Sequence, residues 1–422
     1  MSKKLLFLLL MPLNLMSQQV DNSEKSIILN SLIKLIDEKF ISVDYIKSIR
    51  DSITSERYIS ITERKLFIRQ LNIDLFRITK DRHLTVEFDP KRALIISGKV
   101  KGENSLKQQR EENFGFERVQ VLPGNIGYFQ LNYFSDTAST KKIISSVFEI
   151  LKGTDIIIID LRNNIGGNKV MMQLLASYIL AKQTQPLITI TAKNGERFIG
   201  NAIKVVENQA LTKKGIYLLT STATFSAAEG FAFILKNRKR VTIFGEKTAG
   251  AGNSVGFYPL ADKYVIGIPE GKAIDPIIGT GWDQTGVLPD SIISSALALE
   301  KAYLTALQKK QKSETDSIEL YKIQWKMDEL NSIINPITIN EKHLIDYVGV
   351  FGKRIVHAGE GRLWYQARDG AEQAELIPIT ENIFRFREID YFRILFRKDS
   401  NGNIVGLSGV FSDGTNNYNK KE

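Results

Sequence analysis

The sequence predicts an α/β core that is preceded by a small helical bundle and followed by a small β-rich domain. Three observations divide the 422 residues in this way. Residues of about 22–80 carry apolar positions at helical spacing, strand and helix patterns alternate from Ile126 to about Leu304, and short strand patterns separated by turns follow Ile337. The chain is long enough for two or three domains and a sizeable core.

Local patterns set the predicted boundaries. The run Leu94–Ile96 and the segment Ile126–Leu131 predict strands. In the last part of the chain, short apolar runs predict four strands: Tyr347–Gly352, Arg362–Tyr365, Ile383–Phe386 and Phe392–Phe396. The predicted units in chain order are a signal peptide (1–17), a helical bundle (22–82), an α/β core (83–305), a polar helical connector (313–332) and a β-rich domain (337–422).

The amino terminus has the pattern of an export signal. Lys3 and Lys4 precede the apolar run Leu5–Met16, which is too short for an ordinary membrane span, and a polar segment begins at Ser17. The chain contains no cysteine, which excludes disulfides and thiolate metal sites. We therefore expect a periplasmic or secreted bacterial protein without an integral membrane span after signal removal. An uncleaved leader that acts as an anchor is the alternative.

The net charge of +10 does not indicate a nucleic-acid-binding surface. Basic residues are mostly scattered, and the densest run, Lys236–Arg240, lies at the predicted end of a helix, where cations complement the helix dipole. No basic stripe with interleaved aromatic residues is present, so we expect no nucleic acid as a partner. No metal-ligand spacing emerges, and we expect neither a metal nor a cofactor.

Ser226 lies where a strand pattern turns into a helix pattern. The apolar run Ile216–Leu219 is followed by small hydroxylated residues and then by a helical pattern from Ala227. The free NH groups and the positive dipole end of a first helical turn can stabilise an oxyanion, so a serine at this point can act as a nucleophile. The alternative is that Ser226 is only a helix N-cap, a position that serine favours.

Two further motifs flank this serine. Upstream, the strand Asp155–Asp160 ends in LRNNIGG at Leu161–Gly167, and downstream the chain reads GEKTAGAG over Gly245–Gly252. Together with SAAE at Ser226–Glu229, these motifs resemble those of the tail-specific (carboxyl-terminal processing) serine peptidase superfamily. The resemblance covers roughly Ile27–Leu304. It implies a crotonase-like ββα core that hydrolyses peptide bonds.

The base that activates the serine distinguishes two branches of this superfamily. One branch carries a lysine between the two glycines of the final G-x-G, where this chain has Ala251. Lys247 matches a lysine that the family carries outside that dyad, and we interpret it as structural. The other, tricorn-like branch uses an early histidine in a D-x-H motif, which Asp81-Arg82-His83 matches. The resemblance therefore implies His83 as the general base, a task for which an imidazole is suited near neutral pH.

An acid near a late G-V-x-P-D motif completes the site in that branch. The motif stands here at Gly286–Asp290, and Asp283 occupies the place where tricorn-like relatives carry a glutamate. A carboxylate on the second ring nitrogen would fix the tautomer of His83 and stabilise its protonated form. Our hypothesis assigns this role to Asp283. The alternatives are that His83 is a loop histidine and Asp283 a turn residue.

The resemblance also implies the donors for the oxyanion. They are the backbone NH of Ala227, which follows the nucleophile, and one NH from the turn at Gly166 and Gly167. A glycine backbone without a Cβ can approach the substrate carbonyl closely, and it also suits a turn that needs positive φ. Four charged residues are interpreted as paired internal framework: Asp160, Arg162, Glu229 and Asp290.

These observations predict an exported serine peptidase that acts on peptides or proteins through an acyl-enzyme on Ser226. The segment between His83 and Ile126 is too short for the PDZ domain of about 80–100 residues that many superfamily members insert, and in this the chain resembles the retinoid-binding-protein-like members. The main alternative is a noncatalytic binding protein for an apolar ligand or peptide on the same scaffold. A third is hydrolysis of another acyl substrate. Assembly into a homo-oligomer is compatible with the resemblance.

Overall fold

The structure is a computed structural model that describes residues 19–100, 105–135, 137–180, 185–203, 210–368 and 370–422. The predicted signal peptide (1–17) lies outside these residues. Within them, no helix combines the length and the apolar character needed to cross a membrane.

The helices are α1 (Asn22–Lys39), α2 (Ile46–Ser52), α3 (Arg64–Thr79), α4 (Pro90–Ile96), α5 (Ser105–Glu111), α6 (Thr137–Leu151), α7 (Lys169–Ile179), α8 (Ala227–Asn237), α9 (Ala298–Gln311), α10 (Ser317–Ile334) and α11 (Glu341–Tyr347). The strands of the α/β part are β1 (Thr85–Phe88), β2 (Phe116–Leu122), β3 (Ile126–Leu131), β4 (Ile156–Asp160), β5 (Ile188–Ala192), β6 (Arg197–Gly200), β7 (Gly215–Thr220), β8 (Thr242–Gly245), β9 (Asn253–Leu260), β10 (Tyr264–Ile274) and β11 (Ser291–Ile292). The later strands are β12 (Gly349–Phe351), β13 (Arg354–Gly359), β14 (Arg362–Ala367), β15 (Ala374–Pro378), β16 (Ile383–Arg385), β17 (Phe392–Lys398), β18 (Ile404–Phe411) and β19 (Asn416–Lys420).

A six-stranded sheet in the order β11-β8-β7-β4-β3-β2 forms the centre of the α/β part. Its strands are parallel except for β2, which is antiparallel at one edge. Alternate residues of β4 face opposite layers, as strand geometry requires. Ile157 and Ile159 pack with α6, α7 and α8, whereas Ile156 and Ile158 pack with α9 and α10. The mixed α/β class that the sequence predicts is confirmed.

A second sheet has the order β1-β10-β5-β6, with β9 paired to β10. The first helices cover it, since Leu32 of α1 and Leu71 of α3 share one core with Ile266 and Ile268 of β10. β1 is antiparallel to β10. His83, two residues before β1, is therefore positioned by this second sheet and not by the six-stranded one.

One predicted strand is wrong, because the run 94–96 is the end of helix α4. The side chain of Asp89 caps this helix by accepting a hydrogen bond from the NH of Arg92 at 2.9 Å, and Pro90 occupies the first helical position. A run of three apolar residues fits either a strand or a helix. The helix-capping residue before the run therefore determines which of the two forms. The connector helix α10 likewise begins only after its N-cap, Asp316.

The last eight strands, β12 to β19, form an antiparallel meander in sequence order. The NH of Glu422 donates to the carbonyl of Val350 at 2.9 Å, so the sheet curls until the end of the chain meets β12. Phe351, Phe384 and Phe396 lie buried inside this curled sheet, with edge-to-face ring contacts. These three phenylalanines therefore belong to a core.

A buried ion pair ties the end of α8 to the loop after β10. Nη1 of Arg238 lies 2.8 Å from Oδ2 of Asp275, and both side chains are almost inaccessible. Asn237 donates a second hydrogen bond to the same carboxylate at 3.2 Å, and Arg238 also donates to the carbonyl of Pro186 at 3.0 Å. Because α8 begins next to Ser226, this pair holds the far end of the helix that follows the candidate nucleophile.

We predict that Asp275→Ala destabilises the α/β part by about 3–5 kcal/mol, since it leaves a buried guanidinium without its partner. Urea unfolding followed by circular dichroism measures the change. Asp37→Ala is the matched control, because Asp37 of α1 pairs with Arg50 at the surface and its loss should leave the midpoint nearly unchanged. Equal midpoints for the two variants would contradict the structural role of the buried pair.

Candidate functional site

Ser226 lies between the end of β7 and the start of α8, where it is the N-cap residue. Its backbone has φ 53° and ψ −117°, a conformation that is uncommon for a residue with a side chain. Sharp strand-to-helix turns of this kind carry the nucleophilic serine in α/β-hydrolases. Ser226 is only partly buried, so a substrate can reach it.

The turn before Ser226 is fastened to the segment that follows β4. The buried hydroxyl of Thr224 donates to the carbonyl of Leu161 at 2.8 Å, and the NH of Phe225 donates to the carbonyl of Asn164 at 2.9 Å. After β7 ends, hydroxyl side chains such as that of Thr224 thus provide hydrogen bonds in place of the backbone hydrogen bonds between strands. They hold the strained serine against the Gly-Gly turn.

A fully buried carboxylate, that of Glu229, holds the start of α8. It accepts hydrogen bonds from the NH groups of Ser226 (2.8 Å), Gly250 (2.6 Å) and Ala251 (2.9 Å), and from the hydroxyl of Thr248 (2.6 Å). Burial raises the pKa of this carboxyl, and the four donors act against that shift. Glu229 therefore joins the serine turn to the loop after β8. Ala251, where the lysine branch carries its base, is buried in that loop.

The glycines of the upstream turn allow a close approach to the serine. Gly166 and Gly167 have φ values of 92° and 123°. A Cβ on Gly166 would lie 2.8 Å from the Cβ of Ser226, and one on Gly167 would lie 2.3 Å from the carbonyl oxygen of Phe134. Any side chain at these two positions would displace the turn.

Two backbone NH groups beside Ser226 have no hydrogen-bond partner among the residues that the structure describes. They belong to Gly167 and to Ala227, the first residue of α8. The NH of Gly166, in contrast, donates to Oδ1 of Asn164 at 2.9 Å. The pair that is free to receive an oxyanion is therefore Gly167 and Ala227.

His83 reaches the serine turn from the other sheet. Its ring packs edge-on against Phe225, the residue before Ser226, with 4.8 Å between the ring centroids. The side chain is buried, and neither ring nitrogen has a hydrogen-bond partner. Burial lowers the pKa of His83 to about 4. The imidazole is therefore neutral at pH 7 and able to accept a proton.

Asp283 forms no ion pair with His83 among the residues that the structure describes. It is half-buried, and its Oδ1 accepts a hydrogen bond from the NH of Gly252 at 3.1 Å. Burial raises the pKa of Asp283, and the charge of Asp81 raises it further. Among the described residues, the carboxylate beside the ring of His83 is that of Asp81, with 3.8 Å between Nδ1 and Oδ1.

Sequence reasoning gave no role to two residues that meet at this point. The D-x-H motif includes Asp81 without indicating a function for it, and no sequence pattern marks Asn253. Nδ2 of Asn253 donates to Oδ2 of Asp81 at 2.9 Å, across 172 positions of the chain. The D-x-H spacing was the available signal for Asp81. Nothing local pointed to Asn253.

Other charged residues around the site are paired framework, as the sequence analysis interpreted them. Asp160 accepts hydrogen bonds from Arg162 at 2.7 Å and from Tyr128 at 2.8 Å, and Asp290 accepts one from the NH of Ile243 at 2.8 Å. Lys247 is exposed at the surface. In the part of the chain that the structure describes, no three His, Cys, Asp or Glu side chains come together to hold a metal ion.

A groove of about 590 Å³ runs beside the segment that leads into the Gly-Gly turn. Ile165 and Asn163 form one side of it, and Phe116 and Tyr133 lie among its other lining residues. Ile165 is largely exposed although it is next to Gly166. The groove is open to solvent and reaches Ile165, the residue before the Gly-Gly turn.

Residues 125–293 match the model of peptidase family S41. A carboxyl-terminal-processing protease of Picosynechococcus is 31% identical over 169 residues, which are 40% of this chain and 39% of that protein. Carboxyl-terminal-processing peptidase 2 of Arabidopsis thaliana chloroplasts is 29% identical over 181 residues, 41% of this chain and 34% of the relative. This chain thus spans only about two fifths of the length of these relatives.

Among solved structures, the photosystem II D1 C-terminal processing protease aligns with 65% of this chain and 94% of its own, at 14% identity and a TM-score of 0.42. The matched region, 125–293, contains Ser226, the Gly-Gly turn and the loop that Glu229 holds, and it also contains Asp283. Residues 125–293 are thus the part of this chain that is similar to peptidase family S41 and to carboxyl-terminal-processing proteases.

Proposed function

We propose that this protein is an exported serine peptidase that hydrolyses peptide bonds through an acyl-enzyme on Ser226. One observation carries the proposal. A serine in a strained strand-to-helix turn has a buried histidine, His83, packed against the preceding residue, and both ring nitrogens of that histidine are unpaired. A protein that only binds a ligand needs neither feature.

The proposed reaction begins when Nε2 of His83 takes the hydroxyl proton of Ser226 while Oγ attacks the substrate carbonyl. The NH groups of Gly167 and Ala227 stabilise the oxyanion that forms. The imidazolium then gives its proton to the leaving amine, and the acyl-enzyme remains. A water molecule, activated by the same imidazole, hydrolyses that ester and restores Ser226.

The proposal includes a carboxylate that assists His83, and Asp283 is the candidate from the tricorn-like pattern. This assignment is supported by position. Burial and the charge of Asp81 raise the pKa of Asp283, and Asp81 lies 3.8 Å from the ring of His83. The chain resembles the tricorn-like branch in another respect. The position of the alternative lysine is occupied by the buried Ala251, which has no base to offer.

We propose that the substrate is a peptide or protein that lies in the groove beside Ile165. The names of the relatives describe carboxyl-terminal processing, and peptide hydrolysis is the part of that activity which the residues of this chain support. Periplasmic or secreted localisation is also a proposal, based on the leader at 1–17. So are assembly into a homo-oligomer and a crotonase-like topology for the core.

We predict that a fluorophosphonate forms one covalent adduct with the mature protein, and that Ser226→Ala and His83→Ala each abolish it. Intact-mass spectrometry measures the adduct. His343→Ala is the matched control, because His343 is an exposed histidine on α11 and its loss should leave the labelling unchanged. A folded parent that takes no label would favour a noncatalytic binding protein, and a label that survives in Ser226→Ala would refute the assignment of the nucleophile.

We predict that the labelling rate stays constant as the pH falls through 6.5 and decreases only as it approaches 4. The reason is that burial lowers the pKa of His83 to about 4, so its neutral, basic form persists below the usual range of a histidine. The observed midpoint belongs to His83 together with the neighbouring carboxyls. Stopped-flow labelling from pH 8 down to about 3 measures it. An acid limb centred at 6.5 would show that the base is a solvated histidine.

We predict that Glu229→Gln slows labelling by roughly 10–100-fold. The amide keeps one acceptor oxygen and places an NH₂ group against NH donors, which weakens charged hydrogen bonds that are each worth about 1.5–3 kcal/mol. The labelling rate at pH 7.5 measures the effect. Glu149→Gln, the same change at an exposed site on α6, is the control and should behave like the parent. An unchanged rate in Glu229→Gln would mean that the turn does not depend on this carboxylate.

A further inference from the structure

The ring of His83 lacks hydrogen-bond partners, and this lack becomes more costly when the ring takes up a proton in the proposed reaction. When the imidazole takes the proton of Ser226, it becomes a cation in a site where both ring nitrogens are buried and without partners. A buried cation is costly unless a carboxylate faces it. The acid expected from the sequence, Asp283, makes no ion-pair contact with His83 in the described structure, whereas Asp81 lies 3.8 Å from Nδ1.

We infer that Asp81 is the carboxylate that positions His83, that Asn253 fixes Asp81 in place, and that Asp283 is a second carboxylate behind them. This inference rests on the proposed function, because it concerns the base of the same reaction. It adds two positioning residues to the site and changes which carboxylate faces the ring. The three side chains come from the loop before β1, the first residue of β9 and the loop before β11.

The conformation of Asp81 is fixed by its hydrogen bonds. Oδ1 accepts from the NH of His83 at 2.9 Å, which closes an Asx turn, and Oδ2 accepts from Asn253 at 2.9 Å. The NH of Asp81 donates to the hydroxyl of Thr79 at 3.2 Å. The side chain is only 2% exposed. Its Oδ1 is therefore held beside Nδ1 of the histidine two residues later and cannot turn towards water.

Asp283 acts at a greater distance. Burial and the charge of Asp81 raise the pKa of Asp283, and its Oδ1 accepts a hydrogen bond from the NH of Gly252, the residue before Asn253. Lys272, which is opposite Asn253 in the β9–β10 ladder, exerts an opposing positive charge on Asp283. Asp81 is thus the carboxylate beside the ring of His83, whereas the charge of Lys272 acts on Asp283.

The step that this arrangement supports is a proton transfer from Ser226 to Nε2 of His83. Nδ1 keeps its own proton and donates it to Oδ1 of Asp81 as the ring becomes positive, and Asp81 itself stays ionised. The observed 3.8 Å must shorten to hydrogen-bond length for this, a change that catalytic hydrogen bonds commonly undergo when substrate binds. The carboxylate thereby fixes the tautomer in which Nε2 is the free base.

The test compares three variants by fluorophosphonate labelling rate, by its pH profile and by thermal midpoint. Asp81→Asn should slow labelling by roughly 10²–10⁴-fold and move the acid limb to lower pH, because the imidazolium loses its stabilising charge. Asp283→Asn should slow it by less than about 10-fold. The double variant Asp81→Asn with Asn253→Asp exchanges the amide and the carboxylate. It should recover the thermal midpoint of the parent, since one hydrogen bond is restored, but not the rate.

The outcomes separate the inference from the proposed function. A double variant that labels as fast as the parent, or an Asp283→Asn variant slower than Asp81→Asn, would overturn the role of Asp81. An unshifted acid limb in Asp81→Asn would also do so, because a merely structural residue leaves that limb in place. A folded parent without label, or a label that survives Ser226→Ala, would overturn the proposed function itself.

Discussion

The buried carboxylate of Glu229 is the constraint on which the candidate site depends. One carboxylate without solvent contact is stable only if donors surround it, and four donors from two separate segments do so. Because one of them is the NH of Ser226, the same hydrogen bonds hold that residue at φ 53°. The hydrogen bonds to the carboxylate thus offset the backbone strain at Ser226. A movement of the loop after β8 would break hydrogen bonds of Glu229 and loosen the serine turn.

Sheet topology explains why three distant segments meet at Ser226. β4, β7 and β8 are parallel neighbours, so their carboxyl ends lie at the same edge. The Gly-Gly turn follows β4, the serine turn follows β7, and the loop with Gly250 and Ala251 follows β8. His83 comes from outside this sheet. Its position depends on how the second sheet, with β1 and β10, packs beside the first. The candidate base is therefore more sensitive to changes elsewhere in the fold than the candidate nucleophile is.

The sequence predicted best what is encoded locally. The place of Ser226 follows from an apolar strand, a hydroxylated turn and a helix pattern, all within about twenty residues, and the structure has this order. The run 94–96 was assigned wrongly because the helix cap at Asp89, and not the run itself, decides its conformation. Four of the strands from β12 to β19 were predicted, and the others, such as β19 with its polar residues, carry too few apolar positions to recognise. The contact of Asn253 with Asp81 depends on tertiary packing, for which the sequence has no local signal.

Burial of His83 has two opposite effects on its proposed use as a base. It keeps the ring neutral and ready to accept a proton, but lowering the pKa from 6.5 to about 4 also means that forming the imidazolium costs about 3 kcal/mol more than in water. A carboxylate that approaches the ring only when the cation forms would offset this cost in the transition state without protonating the resting enzyme. Nδ1 of His83 lies 3.8 Å from Oδ1 of Asp81, which is too far for a hydrogen bond. A small movement would bring the two atoms to hydrogen-bond distance. Substrate that packs against Phe225 and Ile165 would exclude water from the site and strengthen that attraction, so binding and activation of the base would be coupled.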